Sequence, residues 1–276
     1  MILGSTGTLG HAFIRLCDAR GIPYHALGRK LLDLGNPTAI DDILAETNPW
    51  AIVNAAGYVR VDDAEDDPET CRRINAWSPI RIAAACAREG IPLLAFSSDL
   101  VFDGRSREPY TENSPVAPLN VYGLSKAEME RGVLAAMPDA LVIRTSSFFG
   151  PWDEANFVTR ALQTLSSGGV VRAACDQVVS PTYVPDLVHA ALDLLVDGES
   201  GVWHLANDGA LTWSDLASAA ADYAGVRDGR VEPRPTRDLG LRARRPRNSA
   251  LGSQRGWLMP SLEDALGRYL VERETT

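Results

Sequence analysis

Tyr122 and Lys126 stand one helical turn apart in the stretch PLNVYGLSKAEMERGVL. Residues i and i+4 share one face of a helix, so the phenol and the ammonium can reach one spot. A nearby positive charge favours the phenolate, which would make Tyr122 a proton donor or acceptor. Upstream, Ser98 closes the apolar run IPLLAFSS and is followed by Asp99. A hydroxyl at a strand's C-terminal end can hydrogen-bond a substrate carbonyl, although serine and aspartate also serve as turn caps. A third constellation, Gly4-Ser5-Thr6-Gly7-Thr8-Leu9-Gly10, opens straight into a helical pattern. Glycines at this spacing let the backbone approach a pyrophosphate, whose charge then meets the helix N-terminus.

These groups need a scaffold that brings them to one edge. The first half of the chain alternates short apolar runs (PYHAL, WAIVNAA, IPLLAFS, ALVIRT) with helical stretches. Near-continuous apolar strands between helices predict an α/β fold, a doubly wound parallel sheet covered on both faces. Gly21 and Gly90 close two of the helices before the next strand. The second half is less regular, with helices in NFVTRALQTLSSGG, VPDLVHAALDLLVDG and LTWSDLASAAADYAG and a strand in GVWHLAN. We expect a dinucleotide-binding unit over residues 1–150 and a smaller, mainly substrate-binding α/β subdomain over 151–276. A segment near 165–195 would return to the main sheet, and a cleft would lie between the halves.

In this frame further residues fall at strand ends. Gly28-Arg29-Lys30 follows the second strand without an acid to hold a ribose 2′-hydroxyl, so Arg29 points to the 2′-phosphate of NADP; two solvated bases in a loop are the plainer alternative. Asp33 and Leu34 could meet an adenine edge. Asn54, Ala55, Ala56 and Gly57 end the third strand, where doubly wound sheets bind ligands. Only Met1, Ile2 and Leu3 precede Gly4. A first strand normally needs about five residues, so we expect a trimmed strand or a segment of a longer polypeptide.

The totals set further bounds. A chain of 276 residues with 45% apolar and 23% charged residues suits an ordinary globular protein. Its net charge of −9 argues against nucleic acid as a partner. No run of about eighteen apolar residues is present, so no membrane partner is expected. The four cysteines and four histidines are scattered without metal-ligand spacing, so no metal site is proposed. Buried free thiols and the lack of a signal-peptide pattern lead us to expect a cytoplasmic protein.

The Gly-rich loop, Ser98, Tyr122 and Lys126, in this order, resemble the Ser/Thr–Tyr–Lys site of extended short-chain dehydrogenases/reductases. Within them, NAAGYVRVDDAE, SSDLVFDG, PLNVYGLSK, VIRTSSFFG, SPTYVPDLV, GVWHLAN and RRPRNSAL are similar to dTDP-4-dehydrorhamnose reductases and their sugar-nucleotide-binding relatives. The resemblance implies that Ser98 polarises the C4 carbonyl of a 4-keto sugar nucleotide and that Tyr122 donates the proton. Lys126 would lower the tyrosine's pKa and hold the nicotinamide ribose. It implies NADPH, with NADH as the alternative, bound by Gly4, Thr6, Gly7, Thr8, Leu9, Gly10, Arg29, Asp33, Leu34, Asn54, Ala55, Ala56, Gly57, Asn75, Tyr122 and Lys126.

Substrate contacts would be Ser98, Asp99, Ser147, Trp152, Asn156, Phe157, Arg244 and Arg245, the arginines because guanidinium suits a pyrophosphate. Where the family has tyrosine after Ser/Thr-Asp, this chain has Leu100; where it has tryptophan after Arg-Thr-Ser, it has Ser147. Both substitutions put the identity of the sugar in question, and Trp152 is offered as a substitute surface. Three readings compete: a reductase of a nucleotide-activated 6-deoxy sugar, another enzyme of this fold such as an epimerase or a reductase of a different nucleotide sugar, and a non-catalytic NADP-binding subunit. A homodimer, and fusion to or association with another sugar-acting domain, are further expectations.

Overall fold

A computed structural model of the protein describes residues 1–28, 39–256 and 259–274. In chain order the first half forms β1 (Ile2–Leu3), α1 (Thr8–Arg20), β2 (Ala26–Leu27), α2 (Ala39–Thr47), β3 (Ile52–Asn54), α3 (Pro68–Arg72), α4 (Ser78–Glu89), β4 (Leu93–Phe96), α5 (Val121–Ala136) and β5 (Leu141–Arg144). The second half adds β6 (Phe148–Phe149), α6 (Phe157–Ser166), β7 (Val170–Ala174), β8 (Val178–Val179), β9 (Thr182–Tyr183), α7 (Val184–Val196), β10 (Gly201–His204), β11 (Leu211–Thr212), α8 (Trp213–Tyr223), β12 (Arg230–Arg234) and α9 (Leu262–Glu274).

Among the described residues the main sheet has six parallel strands in the order β10-β5-β4-β3-β1-β2. Alternate residues of each strand enter different layers, as the period of two requires. Ile2, Val53, Leu94, Phe96, Leu141 and Ile143 pack against Phe13 and Leu16 of α1 and Leu187 and Val188 of α7. Their neighbours Leu3, Ile52, Leu93, Ala95 and Val142 pack against Leu44 of α2, Ile82 of α4 and Met129 of α5. Each fully buried Leu, Ile, Val or Phe contributes about 1.5–3 kcal/mol, so both layers hold the sheet between the helices. The doubly wound parallel sheet expected from the sequence is the fold observed. Its strand order reverses at β1, which pairs with β2 on one side and β3 on the other. The crevice beyond β1 and β3 is where such sheets take ligands.

The long helical stretch around RRINAWSPIR is two helices joined by a π-helical turn, Arg73–Trp77. Pro79 explains the break: it has no N–H to offer the carbonyl four residues back, and the extra residue of the turn absorbs the misfit. Smaller parallel pairs β6–β9 and β7–β12 and the antiparallel pair β8–β11 build the second half. There α9, not anticipated in the sequence, packs Leu262, Leu266 and Tyr269 against Phe149, Tyr183 and Leu216.

Candidate active site

Helix α5 starts at the site because Asn120 caps it. The Asn120 Oδ1 accepts the Gly123 N–H at 2.7 Å, while its Nδ2 donates to the Arg244 carbonyl at 2.8 Å. Gly123 then allows close approach: a Cβ there would stand 2.1 Å from the Leu100 carbonyl oxygen. The first turn of α5 is thus pressed against the turn that follows Ser98. Ser98 caps that turn, accepting the Leu100 N–H at 3.1 Å and donating to Asp99 Oδ1 at 3.0 Å. Tyr122 and Ser98 meet in the wall of one cavity of about 320 Å³, with Asp99, Leu100, Ser147 and Arg245.

One turn along, Lys126 is buried and its Nζ donates to the Phe96 carbonyl at 2.9 Å. It lies 5.8 Å from the centre of the Tyr122 ring. Burial lowers the Lys126 pKa to about 8, against the pull of Cys71 and Glu130. Burial and the Asp99 carboxylate together raise the Tyr122 phenol well above its usual range, and the Ser98 hydroxyl works the other way. The net direction at Tyr122 is therefore upward, with loss of solvent the largest cause. The Lys126 ammonium is turned to a backbone carbonyl.

The glycine-rich loop lies against the residues that follow β3. Gly4 has φ 78°, and a Cβ on it would strike Ala56 N at 2.6 Å; one on Gly10 would strike the Gly4 carbonyl at 2.2 Å. These two glycines seat the loop between β3 and α1. Gly7 has no such neighbour, its nearest contact being Gly4 O at 3.5 Å, and it caps α1 without a side-chain hydrogen bond. The bare outer face and uncapped N–H groups fit a dinucleotide's pyrophosphate. At the end of β3, a Cβ on Gly57 would lie 3.7 Å from Lys126 Nζ, so the lysine tip lies against this strand end. Asn75 pins the same loop, accepting the Tyr58 N–H at 2.7 Å and donating to the Tyr58 carbonyl at 3.0 Å.

The chain matches the family described as RmlD substrate binding domain over residues 1–259. It belongs to this family. The dTDP-4-dehydrorhamnose reductase of Streptomyces griseus is 34% identical over 269 residues, 95% of this chain and 88% of that protein. The Bacillus anthracis dTDP-4-dehydrorhamnose reductase, solved in complex with NADP, superposes with a TM-score of 0.93 at 31% identity, covering 98% of each chain. The Thermus thermophilus UDP-glucose 4-epimerase shares the fold, with a TM-score of 0.82 at 19% identity.

In this RmlD-family chain the remaining candidates separate. Thr6 lies against Gly28, and Thr8 donates to Asp153 Oδ2 at 2.9 Å. The Leu9 side chain is buried with the α1 face, which leaves its backbone N–H for a ligand. Asn54 is buried and accepts the Ala56 N–H at 3.3 Å, with Ala55 half-buried beside it. Arg29, Asp33 and Leu34 lie outside the described residues. Ser147 lines the cavity in a left-handed conformation, φ 32°.

Four substrate candidates are not brought to that cavity. Trp152 stacks under the Arg15 guanidinium at 4.4 Å, in the wall of a second cavity with Thr6, Gly7, Thr8 and Asp153. Asn156 caps α6, accepting the Thr159 N–H at 2.9 Å. Phe157 packs edge-on behind Trp213 at 4.8 Å. Arg244 is exposed and offers the site only its carbonyl, whereas Arg245 lines the cavity and donates to Asp62 Oδ2 at 2.9 Å.

Sequence reading missed several residues. Trp213 reaches the cavity from α8 and supplies an aromatic surface there. The Thr145 hydroxyl, in the same wall, is buried with no hydrogen-bond partner among the described residues, so a polar ligand would satisfy it. Beneath the site Arg144 donates twice to Glu130, at 2.8 and 2.7 Å, and Ser97 donates to the same carboxylate at 2.5 Å. This buried pair ties the ends of β4 and β5 to α5. Its one visible sign was an arginine closing the apolar run ALVIRT.

Proposed function

We propose that this chain reduces the C4 keto group of a nucleotide-activated 6-deoxy sugar with NADPH, as a dTDP-4-dehydrorhamnose reductase does. The observation that carries the reading is that Ser98 and Tyr122 line one cavity, with Lys126 one turn along α5 beside the strand end at Gly57. When bound, NADPH supplies the hydride. Gly4, Gly7, Gly10 and the strand end at Asn54–Gly57 would hold it, with Lys126 and Tyr122 at the reacting end. Ser98 orients the carbonyl oxygen. As negative charge grows on that oxygen, Tyr122 gives up its proton to it, and Lys126 steadies the phenolate left behind. Arg245 and Trp213 face the rest of the substrate.

The same proposal assigns residues 1–150 to the cofactor and most of 151–276 to the sugar nucleotide, and includes cytoplasmic residence, a homodimer and association with another sugar-acting domain. The sugar is the open point, because Leu100 and Ser147 line the cavity where the resemblance implies two aromatics. The test is NADPH oxidation with dTDP-4-keto-6-deoxy-L-mannose, comparing the parent chain with Tyr122→Phe. Turnover that falls about 10²–10⁴-fold in the variant fits a general acid. A parent chain that binds NADPH yet turns over no member of a keto-sugar panel would overturn the reductase reading in favour of a cofactor-binding subunit.

A further inference from the structure

Asp99 is buried and uncharged groups crowd it. Three serine hydroxyls from three parts of the chain donate to its two carboxylate oxygens. Ser98 donates to Oδ1 at 3.0 Å; Ser146, just beyond β5, donates to Oδ2 at 2.8 Å; Ser249, in the C-terminal segment, donates to Oδ2 at 2.5 Å. All four residues are at least nine-tenths buried. The backbone fixes the cage from both sides: Asp99 N–H donates to the Thr145 carbonyl at 3.0 Å, and Ser249 N–H to the Val178 carbonyl at 2.8 Å.

A carboxylate accepts only, so all three hydroxyls can donate at once when Asp99 is ionised. Protonating it would force one hydroxyl to turn. The consequence falls on Ser98, the residue shared with the reaction. With one lone pair on the Leu100 N–H its oxygen is fixed beside Tyr122, and its proton, which rests on Asp99 Oδ1, is the one that must turn to a carbonyl oxygen bound there. We propose that Ser146 and Ser249 are positioning residues that satisfy the Asp99 carboxylate by their own donation, so that the Ser98 proton can leave Asp99 for the substrate carbonyl while Asp99 stays ionised. This rests on the reductase reading for its catalytic consequence, while the cage itself stands on the geometry.

The groups that titrate or carry charge around Asp99 are Tyr122 from α5, coupled to it electrostatically, and Arg245 across the cavity from the C-terminal segment. Beneath lie Lys126 and the Glu130–Arg144 pair, whose charges offset within the pair. Burial already raises the Asp99 pKa, and the three hydroxyls lower it. Removing one donor therefore moves protonation of Asp99 to higher pH.

The test measures kcat and KM against pH for the parent, Ser249→Ala, Ser249→Thr, Ser146→Ala and Asp99→Asn, with thermal melts to confirm folding. For Ser249→Ala, kcat should fall about tenfold, the worth of one such hydrogen bond, with KM changed by less than about twofold. The acidic limb of kcat should rise by about one to two pH units, since the lost bond was to a charged group. Ser249→Thr should restore both, and Ser146→Ala should move both in the same direction. Parental rates and an unmoved limb, or a loss that threonine does not rescue, would reduce the serines to packing. If the parent itself turns over no keto sugar, the reductase reading fails separately. The cage is then read by infrared difference spectroscopy, with Asp99→Asn assigning the band of the protonated carboxyl. That band emerging at higher pH in Ser146→Ala or Ser249→Ala than in the parent supports the cage, and an unmoved band refutes it.

Discussion

Gly123→Ala should uncouple activity from stability. An alanine Cβ at this position would sit 2.1 Å from the Leu100 carbonyl oxygen and 2.9 Å from its carbon, both backbone atoms that cannot rotate away. A carbon–oxygen contact is comfortable at about 3.3–3.6 Å, so α5 and the Ser98 turn must separate by roughly 1 Å. Misplacement of that size costs about 10²-fold in rate, near 2.7 kcal/mol of transition-state stabilisation. Stability should change less. Overpacking costs about 1–3 kcal/mol, and alanine regains about 1 kcal/mol over glycine inside a helix. Gly132→Ala, on the same helix, is the control. Its Cβ would meet Ile80 Cδ1 at 2.2 Å and Cγ1 at 2.5 Å, side-chain atoms that a change of rotamer can move, unlike the backbone at Leu100. The assay is NADPH oxidation together with thermal melts of both variants. Full turnover in Gly123→Ala would refute the argument that this contact sets Tyr122 against Ser98. Equal loss in both variants would show that α5 tolerates no added volume anywhere.

Other expectations follow from the same geometry. With the Lys126 pKa lowered to about 8 by burial, kcat/KM should decline as pH rises past 8 and the ammonium is lost. The depressed value also means that the unfolded chain binds the extra proton between pH 8 and 10.5, so stability rises with pH across that window; Lys126→Met should abolish the rise and stabilise the fold near pH 7 by up to about 3 kcal/mol in denaturant titrations, while removing turnover. Asp153 places a carboxylate on Thr8 at the N-terminus of α1, where a pyrophosphate would bind. Asp153→Asn should tighten NADPH binding about two- to fivefold by calorimetry and cost about 0.3–1 kcal/mol of stability; weaker binding would refute the competition. Arg29→Asp should shift cofactor preference from NADPH toward NADH, and unchanged use of both would discredit the assignment.

Local patterns were legible in the sequence and long-range ones were not. The Tyr122–Lys126 spacing and the glycine loop are set within a few residues, so chain order alone brought them forward. The alternating layers of β1, β3, β4 and β5 followed from unbroken apolar runs. Trp213 and Ser249 reach the cavity from positions far along the chain, and Asp62 receives Arg245 across 183 residues. Only folding creates such neighbours, and no spacing rule reaches them. Arg244 and Arg245 read alike in RRPRNS, yet only Arg245 turns inward, because Asp62 accepts both its guanidinium and the Ala243 N–H.

The Tyr122–Lys126 pair also shows why residue identity does not fix chemistry. An ammonium close to a phenol favours the phenolate and so lowers its pKa. Burial of the phenol and the ionised Asp99 beside it act in the opposite direction and prevail. That outcome suits one direction of the reaction. A reductase needs the tyrosine protonated when the carbonyl oxygen begins to take charge, whereas an alcohol dehydrogenase needs the phenolate ready to accept a proton. In the proposed mechanism the proton rests on Tyr122 until the carbonyl oxygen takes charge, and Lys126, hydrogen-bonded to the Phe96 carbonyl, steadies the phenolate once the proton has gone. Asp99→Asn removes the charge that holds the proton there. In that variant the ultraviolet titration of Tyr122 should shift to lower pH, and an unshifted titration would leave burial alone as the cause.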